Sequence, residues 1–270
     1  QKYWDLYDRA QFAPAARQTP PAGAPSYAPQ FGGELRQYAG IPEQGPIDAD
    51  LQRTLIHGYH AAVSYMDAQL GRVLDALDAT GQAQNTIIVL WGDHGWHLGD
   101  HGIWCKHTNY EQAARIPVLV TAPGVTQPGT RTASLAETVD IYPTLADLCG
   151  LKAPAGLEGT SLKPLLEDPQ RAWDRPAYTV VAREDWLGRA VRTERWSYTE
   201  WDYGRRGAEL YDLANDPRES KNLVNDPANA AVVAQMKELL HRNQALAKDS
   251  PFRAAVHQPP ADGATEAGTH

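Results

Sequence analysis

The sequence predicts an α/β fold that is followed by a smaller unit of antiparallel strands and one helix. In the first part of the chain, a long helical pattern precedes two apolar runs, "TIIVL" and "IPVLV", which have the length of buried strands. Farther along, short segments rich in aromatic and β-branched residues follow one another and end in a second helical pattern. That order is typical of a small antiparallel sheet covered by a helix.

The composition argues against several classes of function. The 270 residues carry a formal net charge of -8, which argues against broad binding to nucleic acid or to anionic membranes. The apolar runs are too short to cross a bilayer, so we expect no membrane span. Two cysteines, Cys105 and Cys149, cannot build a disulfide framework; we expect reduced thiols, with a single bridge as the alternative. No secretory signal is visible, and this leaves the compartment open.

The chain divides into segments of different composition. Residues 1–50 are rich in proline, alanine, glycine and glutamine, and are predicted to form an extended, linker-like segment with one short helix. Residues 51–165 carry the α/β pattern, and residues 166–250 carry the pattern of the smaller unit. Residues 251–270 lack apolar periodicity and are predicted to be a disordered tail.

A long amphipathic helix is predicted to open the α/β part. Asp48 or Asp50 can cap it, and Gly81 marks its end. Apolar side chains recur at steps of three and four residues, as expected for one face of a helix. These residues are Leu55, Tyr59, Val63, Met66, Leu70, Val73 and Leu77.

The elements that follow are predicted from shorter patterns. The two apolar runs at 86–90 and 116–120 are expected to be buried strands of an open sheet. Ligands bind such sheets at the carboxyl ends of the strands. Further predicted elements are a helix within 137–151, a helical turn at 159–167, strands within 176–185, 188–202 and 208–213, and a helix at 229–248.

A cluster of polar residues follows the first predicted strand, in the stretch "WGDHGWHLGDHGIWCKH". Asp93 and His94 stand side by side directly after the strand, and Gly95 lets the backbone turn sharply. A carboxylate oxygen and an imidazole nitrogen can both reach one divalent cation if the turn aims them the same way. Two ligands do not make a site, so a simple turn-capping role for Asp93 stays open.

Lys106 follows the pair after a short interval. Beside a cation, a lysine supplies a point charge for an anionic substrate, although an isolated lysine is usually only a solvated surface residue. His101 and Trp104 form, with Asp100, a polar and aromatic fringe. These side chains are candidates for substrate contacts, or they stabilise the loop.

Residues 91–124, "WGDHGWHLGDHGIWCKHTNYEQAARIPVLVTAPG", resemble the C-terminal signature of the sulfatase family in the alkaline-phosphatase-like superfamily, and most of all the iduronate-2-sulfatase-like branch. The similarity continues through "GYHAAVSYMDAQLGRVLDAL", "DIYPTLADLCGL", "LEGTSLKPLL", "RTERWSYTEW" and "ELYDLANDPRESKNL", in the order in which the family has them. The resemblance implies the C-terminal part of an alkaline-phosphatase-like α/β/α sandwich, followed by a small antiparallel sheet plus helix subdomain.

The resemblance also implies a chemistry. Sulfatases use a formylglycine nucleophile, made from a cysteine or serine, and a calcium ion that neutralises the sulfate oxygens. Asp93 and His94 would be two of the calcium ligands. Lys106 would bind the sulfate and offset charge on the leaving oxygen, with His101 and Trp104 as further substrate contacts. Sulfuryl transfer depends on cations fixed around the oxygens, which these residue types can supply.

The sequence departs from the family at the nucleophile. Formylglycine arises within a Cys-x-Pro-x-Arg motif, but Cys105 is followed by "KHTNY" and Cys149 by "GLKAP". No pair of aspartates precedes the first strand to supply the early calcium ligands. We therefore expect the C-terminal half of a sulfatase, inactive alone, with the nucleophile in a missing N-terminal half.

Several expectations rest on that resemblance alone. The expected substrate is a sulfated small molecule or carbohydrate, and the favoured compartment is periplasmic or extracellular. Two other functions stay open. One is a phosphatase or phosphonate-ester hydrolase of the same superfamily, and the other is a non-catalytic, anion-binding remnant.

Overall fold

The computed structural model describes residues 1–30, 33–183 and 185–248. The tail predicted at 251–270 lies outside the described residues. The helices are α1 (Ala49–Ala79), α2 (Glu111–Ala114), α3 (Ile141–Leu148), α4 (Lys163–Glu167) and α5 (Ala230–Lys248). The strands are β1 (Ile88–Trp91), β2 (His97–Leu98), β3 (Trp104–Cys105), β4 (Val118–Thr121), β5 (Ala177–Arg183), β6 (Trp186–Arg192), β7 (Trp196–Trp201) and β8 (Ala208–Asp212).

Helix α1 begins at the cap that the sequence suggests. The Asp48 carboxylate accepts hydrogen bonds from the backbone N–H groups of Asp50 and Leu51, two donors that the first helical turn leaves unpaired. Buried residues occur only in the first half of the helix, as far as Ala61. Beyond that point, the apolar stripe that should form a packing face is open. Its exposed members there are Val63, Met66 and Val73.

Strands β1 and β4 pair with each other in an antiparallel ribbon, in the register Ile88↔Thr121 to Trp91↔Val118. The sequence suggested fully buried strands, and this expectation is wrong for the described part of the chain. Trp91 is 47% exposed and Leu119 is 56% exposed. A ribbon of two strands cannot bury both of its faces without further layers. The ribbon nevertheless ends where expected, directly before Asp93.

The described residues before α1 form irregular chain with short 3-10 turns at Trp4–Leu6, Arg9–Gln11 and Gly33–Gln37. They pack onto the elements that follow. The Trp4 ring stacks on His57 of α1 at a centroid distance of 3.9 Å. Leu35, in the third turn, is buried against Ile47 and Cys105. This segment therefore contributes part of the packing around the polar cluster.

Strands β5 to β8 form a four-stranded antiparallel sheet in chain order, and the segment predicted within 188–202 is divided between β6 and β7. Helix α5 covers one face, where Val191, Tyr198 and Leu210 pack on Met236 and Leu240. On the opposite face, Trp186 and Trp201 pack on Val181 and Ala28. Trp201 is 1% exposed, so it belongs to the core.

A buried carboxylate joins this sheet to the rest of the chain. Glu209 accepts hydrogen bonds from Tyr110, Trp201 and Tyr211 at 2.6–2.9 Å. Tyr110 lies just after the polar cluster, so this network fixes the cluster to the sheet. None of the helices in the described ranges has the length and hydropathy that crossing a bilayer requires.

Candidate functional site

Lys106 directly follows the second strand of a short hairpin. Strands β2 and β3 pair antiparallel, with His97 opposite Cys105 and Leu98 opposite Trp104. Cys105 has a φ of +74°, in the left-handed region, and this redirects the chain before Lys106. The pairing brings the two residues that flank the hairpin, Trp96 and Lys106, close together. The Lys106 ammonium lies 5.0 Å from the centroid of the Trp96 ring.

Trp96 connects the two functional predictions. Its ring stacks on the ring of His94 at 5.8 Å and 28°. The Lys106 ammonium lies against the same ring, where the negative face of the π-system attracts a cation. Tyr59 of α1 stacks on Trp96 at 6.3 Å. The predicted metal ligand and the predicted anion ligand therefore meet at one aromatic side chain, which the sequence analysis did not single out.

Asp93 and His94 direct their side chains toward each other. His94 Nδ1 lies 2.9 Å from the carbonyl oxygen of Gly95, so Nδ1 carries a proton and donates it. This leaves Nε2 facing the carboxylate, 3.3 Å from Asp93 Oδ2. A neutral imidazole would then place two lone pairs against each other. A shared cation, or a proton on Nε2, relieves that repulsion.

The pair therefore fits as part of a cation site. The Asp93 side chain is 83% exposed and that of His94 is 34% exposed, so neither side chain is buried. Calcium prefers oxygen ligands, which the carboxylate supplies, whereas imidazole is a softer ligand. Within the described residues, no group of three or more histidine, cysteine, aspartate or glutamate side chains is arranged to hold a metal. Asp93 and His94 can supply two ligands, and the others would come from elsewhere.

Gly95 is required by close packing. Its N–H donates to the carbonyl of Ala113 at 2.7 Å, which ties the turn to α2. A Cβ at this position would lie 2.1 Å from the carbonyl oxygen of Gln112. Only glycine lets the two backbones approach this closely, so the direction of the Asp93 and His94 side chains depends on it.

Glu219 holds the other end of α2. Its Oε2 accepts the N–H of Glu111 at 2.8 Å, the first backbone donor of the helix. The side chain is fully buried, and burial raises its pKa to about 8. The raised pKa favours the neutral carboxyl over the carboxylate in the folded protein at neutral pH.

Folding takes up a proton at Glu219 between the unfolded pKa near 4.5 and the folded value of about 8. Stability should fall as the pH rises through this window, with a slope of about 1.4 kcal/mol per pH unit at most. We expect Glu219→Gln to make this slope less steep, measured as the free energy of unfolding in urea at several pH values. Glu194→Gln, at an exposed position, is the matched control. An unchanged slope in Glu219→Gln would contradict the assignment.

Lys106 has an anionic partner that the sequence analysis missed. Its Nζ lies 2.5 Å from Oε2 of Glu34, and the Tyr38 hydroxyl donates to Oε1 of the same carboxylate at 2.5 Å. These contacts hold the pKa of Glu34 below its usual value. The Lys106 and Glu34 side chains are 22% and 29% exposed, so the pair lies at the surface of a shallow site.

The structure separates the two predicted substrate contacts. Trp104 lines a cleft of about 480 Å³ with Gln18, Arg36 and Gln52. His101 is 1% exposed, its N–H donates to the carbonyl of Arg17, and its ring lies 5.2 Å from that of Tyr110. Trp104 thus faces a space that a ligand can enter, and His101 lies beneath the surface. Their contact with a substrate stays a prediction.

The two cysteines are free thiols, and no bridge joins them. Cys105 is 2% exposed, and burial raises the pKa of its thiol. A thiol of this kind is a poor nucleophile. Cys149 is exposed, after the end of α3.

The chain matches two family models, each over more than half of its length. One, described as Sulfatase, covers residues 10–151. The other, described as N-sulphoglucosamine sulphohydrolase, C-terminal, covers residues 99–246. Among curated relatives, the iduronate 2-sulfatase of Homo sapiens is 30% identical over 253 residues, covering 67% of this chain and 46% of the human protein. The family resemblance predicted from the motifs is confirmed.

Two solved structures show the same fold. A complex described as containing the substrate D-glucosamine-2-N,6-O-disulfate superposes with a TM-score of 0.68 at 29% identity, covering 73% of this chain and 42% of that one. The phosphonate monoester hydrolase of Silicibacter pomeroyi gives 0.74 at 25% identity, covering 90% and 52%. The predicted sulfatase-like α/β fold is confirmed. The chain spans about half the length of the curated relatives it matches. It belongs to the sulfatase family.

Proposed function

We propose that this chain is the C-terminal part of a metal-dependent sulfatase, and that a formylglycine nucleophile lies in a sequence preceding it. The observation that supports the proposal most strongly is the arrangement around Trp96. The Lys106 ammonium and the His94 imidazole, which lies beside the Asp93 carboxylate, meet at this ring. The relatives, which are about twice as long, leave room for a preceding half that carries the nucleophile.

The residues of this chain have separate parts in the proposed reaction. Asp93 and His94 would hold a calcium ion, which when bound neutralises charge on the sulfate oxygens. Lys106 would donate hydrogen bonds to the sulfate and to the leaving oxygen, where negative charge develops as the S–O bond breaks. Trp96 holds the ammonium over its ring and limits the side chain to a small set of positions.

The exposed apolar surfaces support a preceding half that packs on this chain. Val63 and Val73 on α1 are 47% and 65% exposed, and Leu119 on β4 is 56% exposed. In the described part of the chain, these side chains are open to solvent to about half or more of their surface. Apolar surfaces of this kind mark interaction sites. We propose that the preceding half of the protein adds strands to the ribbon and packs on α1, and that the chain is inactive without it.

A carbohydrate sulfate is the proposed substrate class. One solved structure is described as a complex with a disulfated glucosamine as its substrate. Two of the relatives are named iduronate 2-sulfatases, after a sulfated sugar. Trp104, Gln18 and Gln52 line the cleft of about 480 Å³. Aromatic and amide side chains suit the faces and hydroxyls of a sugar ring. The family resemblance also leads us to propose a periplasmic or extracellular location.

The structural likeness to a phosphonate monoester hydrolase favours that activity as a second candidate. The test compares kcat/KM of the full-length protein for an aryl sulfate and for a phenyl phosphonate monoester. We expect the sulfate to be preferred by at least about tenfold, which corresponds to about 1.4 kcal/mol in transition-state binding. A peptide map should show a formylglycine in the preceding half. Preference for the phosphonate would support the second candidate, and turnover of neither ester would indicate an anion-binding remnant.

A further inference from the structure

We propose that Glu34 is an internal counter-ion for Lys106, which the sulfate group must displace when it binds and which promotes release of the sulfate product. This inference rests on the proposed anion-binding role of Lys106. It assigns a role in the reaction cycle to a residue outside the motif that suggested the function.

The carboxylate of Glu34 occupies the position that an anionic ligand would take. Its Oε2 lies 2.5 Å from Lys106 Nζ, and its Oε1 accepts a hydrogen bond from Tyr38. A carboxylate and a sulfate both present oxygens that accept hydrogen bonds from an ammonium group. The Lys106 site is thus filled from within the chain by a group that resembles the proposed ligand.

The position of Glu34 is fixed by its neighbours. Leu35, the next residue, is 4% exposed and packs with Cys105, which immediately precedes Lys106. Arg36 donates to the carbonyls of Pro42 and Gly45 at 2.7 and 2.5 Å, which closes the segment into a compact loop. Two neighbouring contacts therefore hold the two segments together: Leu35 packs with Cys105, and Glu34 pairs with Lys106. This geometry distinguishes the pair from an ordinary surface ion pair, in which both side chains are free to move.

Two anions at one ammonium repel each other. A sulfate that reaches Lys106 must therefore push the Glu34 carboxylate aside or bind next to a like charge. Either route weakens binding by an amount that depends on the local screening. After hydrolysis, the same competition helps to expel inorganic sulfate. Glu34 is a positioning residue in this scheme, since it acts on the substrate through Lys106.

The test is the affinity of the full-length protein for inorganic sulfate, measured by calorimetry and as the product-inhibition constant. We expect Glu34→Gln, which keeps the shape but removes the charge, to bind sulfate about three- to tenfold more tightly. Tyr38→Phe, which loosens the carboxylate, should tighten binding by a smaller factor. Glu194→Gln removes the same charge from an exposed position outside this segment and its cleft, and should change the affinity by less than about twofold. A variant with damaged folding would bind more weakly, so the direction of change separates the proposed role from structural damage.

Measurements in the Lys106→Ala variant separate a failure of the counter-ion inference from a failure of the proposed function. If Glu34 acts through Lys106, the gain from Glu34→Gln should disappear in the double variant. Unchanged or weaker sulfate binding in Glu34→Gln would overturn the inference, as would the absence of sulfate binding in all variants. If the gain is present and depends on Lys106, but Lys106→Ala hydrolyses sulfate esters normally, the counter-ion role holds and the proposed function fails.

Discussion

Replacing Asp93 by alanine in the full-length protein should lower its affinity for calcium by at least about tenfold, and kcat/KM for a sulfate ester by about 10²- to 10³-fold. Asp93 is the only anionic group of the pair, and its side chain is 83% exposed, directed toward His94 Nε2. Without the carboxylate, a calcium ion at this position keeps a nitrogen ligand, which it binds poorly. Calorimetric calcium titration and initial rates at saturating calcium measure the two effects separately.

The Asp93 experiment has two matched comparisons. Asp78→Ala removes a carboxylate from an exposed position at the end of α1, and should leave both quantities within about twofold. Asp93→Asn keeps the size and one oxygen, so it should lie between the wild type and Asp93→Ala if the oxygen is a ligand. If Asp93→Ala retains wild-type calcium affinity and activity, Asp93 only caps the turn through its contact with the His94 N–H.

The parts of the fold that local patterns determine could be predicted. The Asp48 cap, the long helix α1 and the meander of β5 to β8 follow from side-chain chemistry and periodicity within a few residues. The exposure of the α1 stripe could not be predicted this way. An apolar stripe shows that a helix has a packing face, but not whether the partner surface lies in the same chain.

The candidate site likewise contains residues that a local motif identifies and residues that only the packing of the chain brings in. Asp93, His94 and Lys106 lie within one short motif, so the chemistry of their side chains is enough to identify them as candidates. Glu34 lies 72 residues from Lys106 in the sequence, in a segment whose composition predicts only a linker. No periodicity or spacing links such residues, since the contact depends on how the chain packs around Leu35. Trp96 is part of the motif, but its position between Lys106 and His94 follows only from the hairpin register.

Lys106→Ala should reduce kcat/KM of the full-length protein for a sulfate ester by about 10²- to 10³-fold, with kcat lowered as well as KM raised. The ammonium would stabilise the bound sulfate and, more strongly, the charge that forms on the leaving oxygen. Lys152→Ala, at an exposed position in a loop, is the control and should leave the rates within about twofold. Lys106→Arg keeps the charge but spreads it over a planar group, and should recover only part of the loss.

Two causes can lower kcat/KM in Lys106→Ala: the missing ammonium, and repulsion of the sulfate by the Glu34 carboxylate. A variant that also lacks the carboxylate separates them. Removing the lysine leaves this carboxylate without the ammonium that it contacts at 2.5 Å, and an unpaired charge with 29% exposure can turn toward solvent. If Glu34 acts only through Lys106, the double variant Glu34→Gln/Lys106→Ala should therefore match Lys106→Ala within about twofold in kcat/KM. A double variant that is about three- to tenfold more active would mean that the carboxylate stays in place and repels the sulfate directly. A kcat/KM for Lys106→Ala within about twofold of wild type would remove Lys106 from the reaction altogether, because a group that binds the transferred sulfate cannot be lost without raising the barrier.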